Sequence, residues 1–163
     1  MITNYLSPLE FQVTVKRLPE VEFFTQSLEI PSLTTAGIVV DNPFNYSHIT
    51  PNKVTYSSLN LSFIVDESMK NYKSVFDWIT GVSFPQNFNQ FKTIENSEEG
   101  LTSDVSIIIM NSNKNPNIII HFKDCFPVSL SPVRLDTTSS QLIYPIATAS
   151  FTYTYFTIEE YNN

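Results

Sequence analysis

Glycine is almost missing from the 163-residue chain, which has only Gly37, Gly81 and Gly100. A loop that cradles phosphate on backbone N–H groups needs several glycines in one turn, so nucleotide-binding loops of that kind are excluded. Collagen-like repeats are excluded as well. Cysteine occurs once, at Cys125, so an internal disulfide and a Cys-x-x-Cys motif are impossible and a cytoplasmic folding site is favoured. Histidine occurs twice, at His48 and His121, too few for a histidine-rich metal centre. Positive charge is scarce. Nine Lys and Arg stand against 16 Asp and Glu, for a net charge of −7, and Lys16-Arg17 is the only adjacent basic pair. A grip on nucleic acid by phosphate neutralisation is therefore disfavoured, as is docking on an anionic membrane. Long apolar runs are absent too. Ile107–Met110 and Ile118–Ile120 are far too short to cross a bilayer, and Met1–Ser7 lacks the basic and apolar regions of a secretory signal.

What the chain does contain is apolar and aromatic. Hydrophobic residues make up 42%, with 13 Phe and 8 Tyr, enough for a sizeable core. The dominant period is two. Phe11, Val13 and Val15 alternate with Gln12, Thr14 and Lys16; Leu59, Leu61, Phe63 and Val65 alternate with Ser58, Asn60 and Ser62. Ala147, Ala149, Phe151, Tyr153 and Tyr155 alternate with Thr148, Ser150, Thr152 and Thr154. Such runs fit half-solvated antiparallel strands. Further strands are expected over Glu22–Ile30, Ser103–Asn111, Asn117–Lys123 and Val128–Arg134, rich in β-branched and aromatic residues. Leu18-Pro19, Ile30-Pro31 and Asn115-Pro116 read as strand ends, and Asn111–Pro116 as a hairpin loop.

One helix is expected, over Asp66–Thr80. Asp66 would cap its N-terminus and Gly81 would take the left-handed position after its end. Met69, Tyr72, Val75, Phe76 and Ile79 would form its apolar stripe, and Lys70, Asn71, Lys73, Ser74 and Asp77 its polar face. Pro31–Pro51 and Phe84–Leu101 have no regular pattern and read as long loops, the first an arm. The chain is expected to form a single mainly β domain over 1–163: an antiparallel β-barrel or sandwich with one flanking helix at about 66–80 and a loop or arm at about 31–51.

Residues that could do chemistry are few and scattered. His121 lies in a strand, on the face opposite Ile120 and Phe122. Cys125, four residues on, would sit about 13 Å away, too far for a thiol–imidazole pair. Glu95, Glu98 and Glu99 form a solvated polar run, and Glu-Asn-Ser-Glu-Glu-Gly lacks the ligand alternation of a calcium loop. The expectation is no catalytic residue, no cofactor, no metal and no enzymatic activity.

The strings FQVTVKRLP, FFTQSLEIPSL and VTYSSLNLSFIVDESMKNYKSVFDWITGV carry a resemblance. An early strand pair ends in Ile30-Pro31-Ser32-Leu33, a long strand runs into an acidic helix start, and Phe76-Asp77-Trp78 lies near the helix end. In these features and in length the chain resembles the tail-tube proteins of contractile-tailed phages, whose fold is shared with tube proteins of type VI secretion and related injection machines. The resemblance implies a structural subunit forming hexameric rings stacked into the inner tube. DNA would pass through without specific binding. Tail sheath and baseplate proteins would be neighbours, no membrane would be involved, and the subunit would assemble in the host cytoplasm and reside in the virion tail. The proline-rich Pro31–Pro51 loop and the long, Asn/Gln-rich Phe84–Leu101 segment leave open, as the alternative, a same-fold tube-initiating baseplate subunit or a tube terminator.

On that reading Ile38, Val39, Val40, Phe44 and Tyr46 in the arm are expected to contact neighbouring subunits, because an exposed apolar triplet is a liability on an isolated subunit. Gln12, Thr14, Thr148, Ser150, Thr152 and Thr154, uncharged and polar, are expected to face the lumen, where six copies at −7 each place −42 on a ring. The competing reading is a non-viral β-sandwich binding module that uses Tyr5, Phe44, Tyr46, Phe88 and Phe91 as an aromatic platform.

Overall fold

The computed structural model describes residues 5–6, 8–83, 87–97, 100–138 and 143–161. Its main body is an antiparallel sandwich, not a closed barrel. In chain order the elements that build it are β1 (Phe11–Val15), α1 (Pro19–Phe24) and β2 (Thr25–Glu29). After the arm come β7 (Leu59–Ile64), α2 (Lys70–Ser83), α3 (Phe88–Glu95), β8 (Ser103–Met110), β9 (Pro116–Leu130), β10 (Ile146–Thr152) and β11 (Tyr155–Glu160). The arm itself holds β3 (Leu33–Thr35), β4 (Ile38–Asp41), β5 (Tyr46–Ile49) and β6 (Val54–Tyr56).

Strand β9 is long enough to serve two layers. Its first part pairs with β8 and β11, giving a layer ordered β1-β8-β9-β11. Its second part pairs with β10, giving a layer ordered β9-β10-β7-β2. The alternation of the sequence decides which side chains meet between them. Val13, Val15, Val105, Ile107, Ile120 and Phe122 come from the first layer, and Leu59, Leu61, Phe63, Ala147, Ala149 and Phe151 from the second. Each large side chain so buried stabilises the fold by about 1.5–3 kcal/mol.

Strand β9 changes phase at Asp124, which takes a left-handed φ of 56°. Ile120 and Phe122 point inward before it and Cys125 after it, so one extra residue re-aims the strand as it passes between layers. His121 and Cys125, four residues apart, therefore lie on opposite faces and not on one. The closing strand breaks in the same way. Phe151 and Tyr153 are inward, but Tyr155 is exposed, because the chain crosses from the second layer to the first at 153–154.

The helices differ from the sequence reading. There are three among the described residues. Pro19 opens α1 at its first turn instead of only ending a strand, so Glu22–Phe24 is helical and β2 begins at Thr25. The segment 84–101, expected to be irregular, contains α3, capped by the Asn87 side chain accepting from the Asn89 N–H; Glu98 and Glu99 lie outside the described residues. The main helix is Lys70–Ser83, not 66–80. Asp66 is three residues too early to cap it, and Met69, which precedes the first helical residue, takes φ 54°.

The apolar stripe of α2 runs through Val75 and Trp78, not through Met69 and Phe76, which are 43% and 52% exposed. Asn71, expected on the polar face, is buried. It donates to the Ile64 carbonyl and accepts from the N–H groups of Asp66 and Tyr72. Gly81 is inside the helix and buried, not a left-handed terminator. A Cβ there would come within 2.0 Å of Ile94 Cγ1, so glycine lets α3 lie close against α2.

Residues 33–56 are not an irregular loop. β3 pairs with β6 and β4 with β5, giving a two-stranded ribbon whose strands pair only with one another among the described residues. Every residue from Ser32 to Thr50 is exposed. Strand β9 ends at Leu130, so the strand expected to reach Arg134 stops short.

Candidate functional site

The outer face of the β9-β10-β7-β2 layer is a wall of hydroxyls and amides. Register places Ser27, Ser62 and Thr148 in one row and Glu29, Asn60, Ser150 and Ser129 in the next. The rows are knitted across strands. Ser62 Oγ and Thr148 Oγ1 are 2.9 Å apart, Ser150 donates to Asn60 Oδ1 at 2.7 Å, and Thr148 N–H donates to Ser131 Oγ at 2.8 Å. Seven of these strands' residues line a shallow depression of about 450 Å³. The two rows carry one carboxylate, Glu29, and no Lys, Arg or His.

The lumen candidates divide between layers. Thr148, Ser150 and Thr152 share this outer face of β10. Thr154 sits in the turn after it, its N–H bonded to the Lys123 carbonyl. Gln12 and Thr14 are on β1, in the other layer, where Gln12 Nε2 and Thr14 Oγ1 donate to Glu22 Oε1 at 3.0 and 3.3 Å. Helix α1 thus leans on that side of β1. The sequence reading did not include Ser129 and Ser131, although the Asn60/Ser62 alternation marked the face to which they belong.

The arm presents the candidate inter-subunit residues. Ile38, Val39 and Val40 stand opposite Ile49, His48 and Ser47, and all are exposed. At the tip Asn42 Oδ1 accepts from the N–H groups of Phe44 and Asn45, fixing the turn, and Phe44 is 97% exposed. Tyr46 lies beside it. Of the other aromatics considered for a binding platform, Tyr5 is near the N-terminus, and Phe88 and Phe91 stack on α3 with centroids 5.6 Å apart; the group spans three separate elements.

The titratable groups form no reactive cluster among the described residues, and no group of three or more His, Cys, Asp and Glu could hold a metal there. His121 Nδ1 pairs with Ser106 Oγ at 3.0 Å. Cys125 is buried, and desolvation pushes its thiol up to about 12, so the nucleophilic thiolate is suppressed. Asp104 and Lys123 pair at 2.5 Å; the hydrogen bond lowers the carboxyl and raises the amine. No helix among the described residues is long and apolar enough to cross a membrane.

A model of the phage tail tube protein family matches residues 4–159. The chain belongs to this family. It is 26% identical to the tail tube terminator protein of Enterobacteria phage T4, over 98% of this chain and 92% of that protein. The tube-terminating cap of the anti-feeding prophage superposes with a TM-score of 0.70 at 18% identity, covering 98% of this chain and 94% of the cap. A chain of the PVC sheath-tube complex, from an extracellular contractile injection system, gives 0.67 at 15% identity, covering 96% and 92%. Hcp1 of E. coli EAEC 042 gives 0.54 at 8%, covering 94% and 93%. As a tail-tube family member the chain is a structural protein of a contractile injection system and not an enzyme.

Proposed function

We propose that the chain is a ring-forming subunit that ends the inner tube of a contractile phage tail, in the virion, with sheath and baseplate proteins as neighbours in the assembly. The observation that carries this is the near full-length likeness to a tail tube terminator. Sixfold rings are supported by the fold match, at TM-score 0.67, to a chain of the anti-feeding prophage baseplate solved with 6-fold symmetry. The second reading, a repeating subunit of stacked rings, is favoured by the family's own description.

The wall of Asn60, Ser62, Thr148, Ser150 and Thr152 is our candidate for the lumen. Hydroxyls and amides offer double-stranded DNA no fixed positive charge to adhere to, and Glu29 adds repulsion that salt screens over about 8–10 Å. Gln12 and Thr14, on the other layer and engaged with Glu22, drop out of that wall. The arm supplies the contacts between copies or rings. Val39→Asp tests this. Val39 is exposed, so the subunit should fold with unchanged thermal unfolding while ring association fails by sedimentation. Normal rings from the variant would remove the arm from the interface.

A further inference from the structure

The sandwich has an open seam. Among the described residues β1 pairs only with β8 and β2 only with β7, so each layer ends in an unpaired edge, and Phe11 of β1 and Leu28 of β2 line one groove between them. Helix α1 closes one end of the seam with Val21, which is fully buried. The other end is an apolar groove of about 300 Å³ lined by Leu6, Phe11, Leu28, Ile30, Ile107 and Ile109, with Pro8 at its rim. No charged residue lines it.

We propose that this groove receives the arm of a second copy, with Phe44 as the leading side chain. This rests on the ring reading above and names where the arm docks. Four observations support the commitment. Phe44 is held at the tip by the Asn42 turn, so presenting an aromatic costs little further ordering. The groove matches it in being apolar and uncharged, and an aromatic anchor filling a desolvated pocket is the usual centre of an interface.

The third is reach. Ile30 is at the root of the arm, where β3 and β6 pair through Leu33 and Tyr56, and Phe44 is at the far end. An extended strand rises about 3.3 Å per residue, which puts the tip up to about 30 Å from the root. Every residue of Ser32–Thr50 is exposed, its strands pair only within the ribbon among the described residues, and none of them lines the groove beside which the ribbon starts. The fourth is symmetry. Donor tip and acceptor groove are different patches, so the contact is head-to-tail, and such contacts generate closed rings or continuing helical arrays.

The test is cross-linking between two single variants, Asn45→Cys, which places a thiol beside Phe44 and keeps the aromatic anchor, and Ile30→Cys, mixed in equal amounts and treated with a short bismaleimide. The native Cys125 is buried with its thiol pushed to about 12, so it stays silent. The expected result is a covalent dimer in the mixture and in neither variant alone, and a ladder up to the ring size in the double variant. Phe44→Ser should weaken self-association at least tenfold with the thermal unfolding unchanged. Rings that form without the mixed cross-link would overturn the docking assignment alone and assign the groove to another segment. Cross-links formed within one chain at dilutions where it is monomeric would also overturn it. A wild-type chain that stays monomeric at all concentrations, with and without tube ends, would overturn the ring reading and this inference together.

Discussion

Trp78 is the side chain on which the helical layer turns, and its replacement gives a graded test of the fold. The indole is 1% exposed. Its ring centroid lies 6.0 Å from that of Phe151, the Arg17 guanidinium sits 5.2 Å above it, and Nε1 donates to the Leu101 carbonyl at 3.0 Å. Trp78→Ala removes the largest fully buried side chain, and truncations of this kind cost about 3–5 kcal/mol. The Leu101 carbonyl also loses its donor, which places the expected loss at the upper end. Against a total of about 5–15 kcal/mol for a domain, that leaves a marginal fold. Trp78→Phe keeps much of the ring and loses the hydrogen bond, so about 1–3 kcal/mol is expected. Arg17 keeps its bonds to the Gly100 carbonyl and Ser97 Oγ in both variants. Urea unfolding followed by far-UV circular dichroism measures both, since tryptophan emission is gone in each. A loss below about 1 kcal/mol for Trp78→Ala, the range of ordinary surface changes, would show that the indole is not a core residue.

Gly81→Ala gains about 1 kcal/mol of helix propensity but drives a methyl into Ile94, an overpacking of about 1–3 kcal/mol, so the single variant should be neutral to destabilised and Ile94→Ala should reverse its sign; a thermal-unfolding cycle without coupling would separate α3 from α2. Cys125 should resist thiol reagents in the folded protein and react once unfolded. Its folded pKa lies above the ordinary 9.0, so its contribution to stability is complete below pH 9 and is lost as the pH climbs towards 12; equal labelling rates for folded and unfolded chains at pH 8 would contradict its burial. Lysines at Thr148 and Thr152 together should make assembled rings retain double-stranded DNA in a salt-dependent way, and unaltered DNA passage would move that face out of the channel.

The strands were legible in the sequence wherever one face meets the core and the other meets water. Val13/Val15, Leu59/Leu61/Phe63 and Ala147/Ala149/Phe151 all face inward as their alternation requires. The breaks in that alternation were not legible. The left-handed residue at Asp124 and the crossing at 153–154 are set by how two layers share one strand, which no local window contains. The helix stripe held at Tyr72, Val75 and Ile79, which pack on the core, and failed at Met69 and Phe76, which have the right spacing and character but are exposed. Tertiary contacts at Trp78 and the hydrogen bonds of buried Asn71 decided the face instead. The arm's strands were hidden because nothing in 32–50 is buried, so hydrophobic alternation carries no information there; the β-branched run Ile38–Val40 before Asn42-Pro43 was the available sign. The hydroxyl face was readable strand by strand, but only pairing showed that Gln12 and Thr14 belong to a different layer from Thr148 and Ser150.

The most direct test of the central claim is electron microscopy of the purified chain, alone and mixed with preformed tail tubes of the same system. The account predicts discrete sixfold rings that bind at tube ends and do not stack into tubes by themselves. Long tubes grown from the chain alone would contradict the terminating role and return it to the repeating position. A monomer at every concentration, with bare tube ends in the mixture, would contradict the account altogether.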